Sequence, residues 1–594
     1  MMRQQLIDLR RRMAEENIDA YLILSDDFHG SEYVGDYFKS RAFVSGFTGS
    51  AGTLIVTQDF AGLWTDGRYF LQAGQQLQDS GITLCKMGEP DVPTEDAFLA
   101  EHLQNGQCLG FDGRAVPVRR FHALQTALAK KEIHFRTDID LAGEIWTDRP
   151  PLSAEPVWEL SKAYAGRSRT EKFTAVRQAM AKQQANVLLI SSLDDIAWLL
   201  NLRGNDVACS PVFLSYLAMT ADDVHLFLNP GVLTEDLKQV LNADGVSIAP
   251  YFDVFSYAAA LPAGDTVWLD EEKTSCALYK AAAKGSRTLV TAPNPTAVAK
   301  AVKNATEVEN MRLAHLHDGI ALTKFIFWLK TNVGKIPMTE RSCADYLEQL
   351  RKAQPHYLGP SFAPILAYGP HAALPHYSAT EESDAVIQPE GFLLADTGGH
   401  YLEGTTDVTR TFAVGPLTEE MRLHYTTVLR SHLALLFAQF PAGCRGSALD
   451  MLARQPLWAT GLDYNHGTGH GVGYLLNVHE GPNSFRFRSA GQDAVLQPGM
   501  ITSDEPGLYF EGRYGIRLEN LIVCEDRFTN EYGHFLGFAA LTLAPFDRDA
   551  IAVSLLSPTE LAQLNAYHAA VYETLVPHLS EGEARWLKDA TAAL

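Results

Sequence analysis

Two related α/β units followed by a larger mixed α+β unit is the architecture the sequence predicts, on three observations. The chain has 594 residues, 46% of them hydrophobic and 20% charged, ordinary globular values that leave room for about three or four domains. An amphipathic helix leading into a short aliphatic strand occurs twice in the first half. Beyond Ile365 the pattern turns largely to short strands separated by Gly-rich turns, as far as Val523.

In the first copy, Leu9-Arg10 and Met13-Ala14 precede Asp19 and the run Tyr21–Ser25, which leads into Asp26-Asp27. In the second, Val176-Arg177 and Met180-Ala181 precede Asn186 and the run Val187–Ser192, which leads into Asp194-Asp195. Apolar residues at helical spacing followed by an aliphatic run mark the start of an α/β unit. Between the copies, Asp148-Arg149-Pro150-Pro151 reads as a linker, because its prolines forbid helix continuation. A third region starts near Lys303. There Thr306-Glu307-Val308-Glu309 reads as an N-cap with acids in the first turn, heading a helix from Met311 to about Leu329. The tail from Leu556 is helical again, with Ser557 as N-cap, Pro558 at the first helical position and Glu560 completing a capping box. The expected boundaries are 1–155, 156–303 and 304–594.

Acidic side chains number 71 against 49 basic ones, a net charge of −22. That balance disfavours nucleic acid or an anionic membrane as partner, since both require a basic surface. Seven cysteines are scattered singly with no CxxC pair, the usage of a reducing compartment. The N-terminal stretch has no apolar signal core, and no window reaches the roughly 18 apolar residues of a membrane span. The expectation is a soluble, cytoplasmic protein.

The chemistry concentrates in the last third. In FLLADTGGHYLEGTTDVTRTF, two β-prone runs flank a GGHYLEG turn region, which predicts a hairpin. Each run carries an aspartate where a core residue belongs, Asp396 and Asp407. Two buried carboxylates facing each other demand cations or a proton; the alternative is a turn residue and a solvated one. In MITSDEPGLYFEGRYGIRLENLIV, Glu505 closes one strand and Glu519 lies inside another, on the same face as Arg517 by strand parity. Alone, Arg517 and Glu519 could be a surface ion pair worth little.

The third element is HGTGHGVGYLLNVHEGP. His466 and His470 are four apart, but the intervening glycines make a helix improbable and no HExxH glutamate is present. Nor does GTGHGVG have the GxGxxG spacing of a nucleotide loop. A Gly-rich backbone presenting a histidine to an interior site remains. Four carboxylates and one imidazole are a ligand set for two divalent cations, the nitrogen favouring Mn, Co or Zn over Mg. Two such ions can hold a bridging hydroxide at neutral pH and polarise a carbonyl.

D-x10-D, GTGH and E-x13-E together resemble the ligand pattern of the metallopeptidases with the pita-bread fold. The resemblance is strongest to the long, three-domain aminopeptidase P form and covers almost the whole chain. It is carried by RAFVSGFTGSAGT, LWTDGRYFLQA and EIWTDRP, by LDDIAWLLNLRG and PVFLSY, and by AKAVKN, EGTTDVTRTF, LDYNHGTGHGVGYLLNVHEGP, DEPGLYFEG and YGIRLEN. It implies two creatinase N-terminal-like domains before a pita-bread catalytic domain with a helical C-terminal extension. It further implies that Asp396 chelates one ion and Asp407 bridges both, while His470 binds the other beside Glu505, with Glu519 bridging. Glu505 is also implied as proton acceptor for the bridging hydroxide.

His376 matches the histidine that hydrogen-bonds the scissile peptide. His479 matches the one that steadies the tetrahedral intermediate or shuttles its proton. His466 fits a position lining the proline pocket, and Tyr509 and Arg517 match second-shell or substrate-side positions, where Arg517 could simply orient Glu519. Arg68 is a substrate-side candidate whose simpler reading is a surface or interface arginine. Manganese is the implied metal, with cobalt or zinc acceptable to the same ligands. A peptide with proline second is the implied substrate, and a homodimer the implied assembly. Two departures stand out: Thr48, where the family often has Asp, and Pro375 immediately before His376. A prolidase restricted to Xaa-Pro dipeptides and a non-catalytic peptide-binding module are the competing readings. The first usually lacks two N-terminal domains, and the second has usually lost its ligands.

Overall fold

The computed structural model describes residues 3–488 and 493–594, which divide into two compact units, one of 3–160 with 167–296 and one of 161–166 with 297–488 and 493–594. The first unit contains the same six-stranded sheet twice. In the first sheet, strands Ala20–Ile23, Thr53–Thr57, Ala61–Thr65, Thr83–Lys86, Cys108–Gly110 and His134–Arg136 lie in the spatial order fourth, third, second, first, fifth, sixth. Strands Val187–Ile190, Ser215–Met219, Val224–Leu228, Val246–Pro250, Thr266–Leu269 and Thr288–Thr291 repeat that order. The senses agree as well. In each sheet the second strand runs antiparallel to the first and the third, and the other neighbouring pairs are parallel. The duplication expected from two helix–strand starts is therefore a duplication of whole sheets.

The helix that opens each copy is fixed by its apolar stripe. Gln4–Glu15 buries Leu6, Leu9 and Met13, and Arg169–Lys182 buries Phe173, Val176 and Met180 at the same helical steps. A 12-residue helix is marginal alone in water; burying three such side chains contributes roughly 5–9 kcal/mol, so sheet packing decides its presence. The segment read as a linker has no regular structure, yet it is anchored. Arg149 donates to Asp140 at 2.6 Å and to the Tyr37 carbonyl at 2.8 Å, and its guanidinium lies 3.7 Å from the Tyr37 ring centroid.

The longest helix of the second unit is Ala305–Asn332. Its cap is Asn304 rather than Thr306: Asn304 Oδ1 accepts from the amides of Thr306 and Glu307, and Glu307 returns a bond to the Asn304 amide. The C-terminal helix Pro558–Leu575 has the Ser557–Glu560 capping box the sequence predicts. The expectation of mostly short strands between Ile365 and Val523 needs correction, because two helices, Glu419–Leu436 and Gly446–Trp458, interrupt them. The first begins at a Thr418 cap and buries Tyr425, Val428, Leu429 and Leu433 in the core, a helical spacing hidden among polar residues.

Two sheets carry the chemistry. One orders Ile365–Tyr368, Phe392–Thr397 and Val408–Ala413; the other orders Gln439–Pro441, Gly533–Ala540, Asn520–Asn530 and Ile501–Asp504. The expected hairpin is present, pairing Phe392 with Ala413 through Thr397 with Val408, with a smaller ribbon, Gly399–Tyr401 against Gly404–Thr405, at its turn. Among the described residues no helix is long and apolar enough to cross a membrane. All seven cysteines are free thiols.

Candidate metal centre

Register explains why the acids meet. Asp396 pairs with Thr409 across the antiparallel ladder. Asp407 lies two residues before Thr409, hence on the same face as Thr409 and Asp396. Glu505 directly follows the strand Ile501–Asp504. Glu519 is not inside a strand, as the sequence suggested, but in the short break between Tyr514–Arg517 and Asn520–Asn530. Its amide donates to the Thr409 carbonyl at 3.0 Å, so the break turns Glu519 onto the hairpin face that carries the aspartates.

His470 reaches the acids by close backbone packing. The two-residue strand Gly469–His470 pairs with Ser484–Phe485. A Cβ at Gly469 would sit 1.8 Å from the Ser503 carbonyl oxygen, and one at Gly471 would sit 2.0 Å from that of Glu480. Glycine is required on both sides of the histidine because the chain is pressed against its neighbours there. The His470 amide donates to Ser503 Oγ at 2.9 Å, and Nδ1 lies 3.0 Å from the Gly471 carbonyl. That carbonyl takes the Nδ1 proton, leaving the Nε2 lone pair for the site, the arrangement usual for a ligating histidine. Nε2 stands 3.5 Å from Asp407 Oδ2 and 3.6 Å from Glu505 Oε1.

Donor atoms of Asp407, His470 and Glu519 all lie within 4.8 Å of one another. Asp396, Asp407 and Glu519 are 9%, 4% and 1% exposed. Burial, then the neighbouring acids, drives the Glu519 carboxyl well above its usual range. The Asp396 and Glu505 carboxyls are also raised, burial again being the main cause. Burial works to lower the His470 pKa, yet Asp407 and Glu505 raise it to about 9. Two charges 4 Å apart repel by about 4 kcal/mol at an effective dielectric of 20, so four such acids call for cations. The donor set fits two divalent ions. Four carboxylates balance their charge, Asp396 Oδ1 is buried with no protein hydrogen bond, and His470 Nε2 faces Asp407 and Glu505, so an ion there would take the place of its proton.

Arg517 donates to Asp396 Oδ2 at 2.5 Å rather than to Glu519; it reaches Glu519 only through Thr409, whose hydroxyl donates to Glu519 Oε2 at 2.7 Å. Thr409 escaped the sequence reading, and only the ladder register singles it out. A second arm of Arg517 donates to Tyr509 Oη at 2.8 Å, and Tyr509 lies 2.9 Å from His466 Nε2. Since His466 Nδ1 lies 2.7 Å from the Gly467 carbonyl, Nε2 is the acceptor for the Tyr509 hydroxyl. Burial and Arg517 push the His466 pKa down to about 3, leaving a neutral ring. Arg517 also donates to the Pro375 carbonyl at 3.4 Å, which ties the loop carrying the exposed His376 to the same network. His479 stands edge-on to the His470 ring at 4.2 Å between centroids. Just beyond it, the buried Glu480 pairs with Lys303 at 3.3 Å and Lys300 at 3.7 Å, which gives the AKAVKN stretch a role. Arg68 belongs to the first unit, where it grips Asp66 with two bonds of 2.8 Å.

The fold and this donor set define a metallopeptidase of the M24 class. Residues 309–526 match metallopeptidase family M24 and 534–594 the C-terminal region of peptidase M24, while 6–149 and 148–307 each match the creatinase/prolidase N-terminal domain. The catalytic fold is the pita-bread fold, preceded by two creatinase N-terminal domains. The chain is 40% identical to a probable Xaa-Pro aminopeptidase P of Neurospora crassa, covering 99% of this chain and 88% of that one. It is also 40% identical to a probable Xaa-Pro aminopeptidase P of Tuber melanosporum, covering 99% of each. The chain belongs to the Xaa-Pro aminopeptidase P family. The crystal structure of an X-prolyl aminopeptidase from Caenorhabditis elegans, described as a cytosolic enzyme with a di-nuclear active site, superposes with a TM-score of 0.94 at 36% identity, over 100% of this chain and 99% of that one. An Xaa-Pro dipeptidase from Bacillus anthracis matches in fold alone, at 21% identity and a TM-score of 0.51, over 64% of this chain.

Proposed function

We propose that the chain is a metal-dependent aminopeptidase that releases the N-terminal residue from peptides with proline second. The observation that carries this reading is the group of buried Asp396, Asp407 and Glu519 with half-buried His470 and Glu505, in a chain alike over its full length to proteins named for that activity. Asp396, Asp407, His470, Glu505 and Glu519 would hold two divalent ions, manganese in the first instance. When bound, such ions supply a hydroxide at neutral pH and polarise the scissile carbonyl.

The chain's own residues do the rest. Glu505 accepts the proton released as the nucleophile attacks. His376 hydrogen-bonds the scissile peptide, and its tether through Pro375 and Arg517 keeps it near the acids. His479 shuttles a proton to the leaving proline nitrogen, a task suited to imidazole. His466, neutral and held by Tyr509, offers an uncharged ring to the pyrrolidine of proline, whose tertiary amide brings no N–H to be satisfied. Arg517 orients Asp396 and, through Thr409, Glu519. Arg68 on the substrate side, a cytosolic location, a homodimer and boundaries at 155 and 303 complete the proposal.

A peptide panel tests it. The protein is stripped with chelator, reloaded with Mn2+, and given Arg-Pro-Pro, an Xaa-Pro dipeptide and a non-proline tripeptide. Cleavage of Arg-Pro-Pro with two ions per chain is the expected result. Dipeptide-only cleavage would establish a prolidase instead, and an inactive chain that binds no metal would leave a peptide-binding module.

A further inference from the structure

Behind the carboxylates, on the side away from the site, lies a second row of polar side chains that the reaction does not use. Asp504 and Asn520 face each other across the ladder, and each is the immediate neighbour of a proposed ligand, Glu505 and Glu519. Asp504 and Asn520 are the terminal ladder residues, and their side chains meet His432 and Arg410 rather than the donor group that Glu505 and Glu519 join. His432, on the helix Glu419–Leu436 and fully buried, spans the pair. Its Nδ1 lies 3.0 Å from the Asp504 carbonyl, and its Nε2 lies 3.1 Å from Asn520 Nδ2. The bonds are mutually consistent in one tautomer: Nδ1–H donates to Asp504, and Nε2 accepts from the Asn520 amide.

Arg410 completes the row. It is 1% exposed, and its Nη2 donates to Asn520 Oδ1 at 2.7 Å while its Nη1 donates to the Glu519 carbonyl at 2.5 Å and the Thr409 carbonyl at 2.9 Å. From the other side it donates to the Ala544 carbonyl at 2.8 Å and to Tyr567 Oη at 3.1 Å, on the C-terminal helix Pro558–Leu575.

We infer that His432, Asn520 and Arg410 form a buried brace that sets the relative position of Glu505 and Glu519, and through it the affinity for the pair of ions. The inference rests on the reading of these two glutamates as ligands. The physical argument is local. Glu505 and Glu519 enter from different strands, and the Asp504–Asn520 rung is the last before both leave the ladder, where strand ends fray. His432 locks that rung, and Arg410 fixes the backbone carbonyl of Glu519 itself. Metal–donor distances at well-formed sites lie within about 0.2 Å of their standard values, so slack at this rung is felt at the ions. All three are positioning residues. The brace also makes the C-terminal helix part of the site's support, through Tyr567.

The test compares full-length wild type with His432→Leu, His432→Gln and Arg410→Lys. After chelator treatment, Mn2+ is titrated calorimetrically, and kcat and KM are then measured on Arg-Pro-Pro. For His432→Leu, Mn2+ affinity at one or both sites should fall about 10-fold, the low end of the range for residues that bond a ligand directly, since His432 acts one residue removed. Its kcat should fall with KM within about two-fold. His432→Gln, which keeps a donor for the Asp504 carbonyl, should recover most of both. Variants that bind two Mn2+ with wild-type affinity and keep kcat overturn the brace, even where the melting temperature of the metal-free protein drops. Should His432→Leu fail to fold, Arg410→Lys carries the same expectation, since lysine keeps the charge but cannot bridge Asn520 and Glu519. Metal affinity is read without substrate. Lost affinity in variants of a chain that cleaves no Xaa-Pro peptide would therefore support the brace and overturn the functional reading alone.

Discussion

Asp396 and Thr397 are consecutive on one strand, and the two faces they open onto treat buried charge in opposite ways. On the Thr397 face, Asp318 is matched one to one: Arg351 grips it at 2.7 and 3.1 Å, Tyr401 donates at 3.0 Å, and Arg351 also reaches the Thr397 hydroxyl at 3.1 Å. On the Asp396 face, four carboxylates gather with one arginine, Arg517, which bonds Asp396 alone among them, and one imidazole, His470, beside Asp407 and Glu505. Balanced charge marks a site whose purpose is the fold. A surplus of one sign, buried at a cost the fold must offset elsewhere, marks a site built for a ligand of the other sign.

Substitutions on the two faces should diverge in sign. The largest effect is expected for Glu519→Gln or Asp407→Asn: metal and activity are lost together, while the metal-free protein melts no lower than wild type because a repelling charge has gone. Elemental analysis and calorimetry of the stripped protein read both, and a variant that keeps two ions sinks the ligand assignment. Next is His376→Ala, on the ligand side but outside the donor set. Turnover should fall about 10²–10⁴-fold, the range for removing a proton-transfer or hydrogen-bonding group, with metal content unchanged. Loss of metal in that variant would show His376 to be a ligand.

Asp318→Asn should do the reverse. It leaves Arg351 buried without its counter-charge and costs about 3–5 kcal/mol of stability, seen in denaturant melts, with two ions still bound by the folded protein. The mildest expectation is a pH effect at His568, fully buried on the C-terminal helix and accepting from the Phe546 amide at 3.1 Å. Burial, with Arg410 nearby, lowers its folded pKa to about 3. The unfolded chain then binds a proton below about 6.5 that the folded one does not, so stability is complete above pH 6.5 and is lost as the pH falls toward 3. The loss should reach about 2 kcal/mol at pH 5, and His568→Gln should flatten that slope. An unchanged slope would place the acid sensitivity elsewhere.

Much of this was legible before any fold was known. Asp396, Asp407, Glu505 and Glu519 stood out because acids interrupted β-prone runs, and His470 because glycines ruled out the helix that would have made it an HExxH histidine. The duplicated first unit showed itself in two helix–strand starts, although the identity of sheet order and sense did not. The helices Glu419–Leu436 and Gly446–Trp458 were missed, their apolar spacing being diluted by polar residues that are nonetheless buried, such as His432 and Asp450. Asn304 and Thr306, two residues apart, are both good caps by residue type, so local sequence does not choose between them.

The residue types of the metal centre, their order along the chain and the local conformations that present them were determined by sequence, because periodicity, caps and glycine requirements act over a few residues. Which atoms face one another was decided only by tertiary structure. The Asp396–Thr409 register, the break that turns Glu519 inward, Arg517 choosing Asp396 over Glu519, and the row of His432, Asn520 and Arg410 behind the ligands all join segments distant in the chain. No local rule relates such segments; long-range pairing of the strands and burial of the helices between them set their distances.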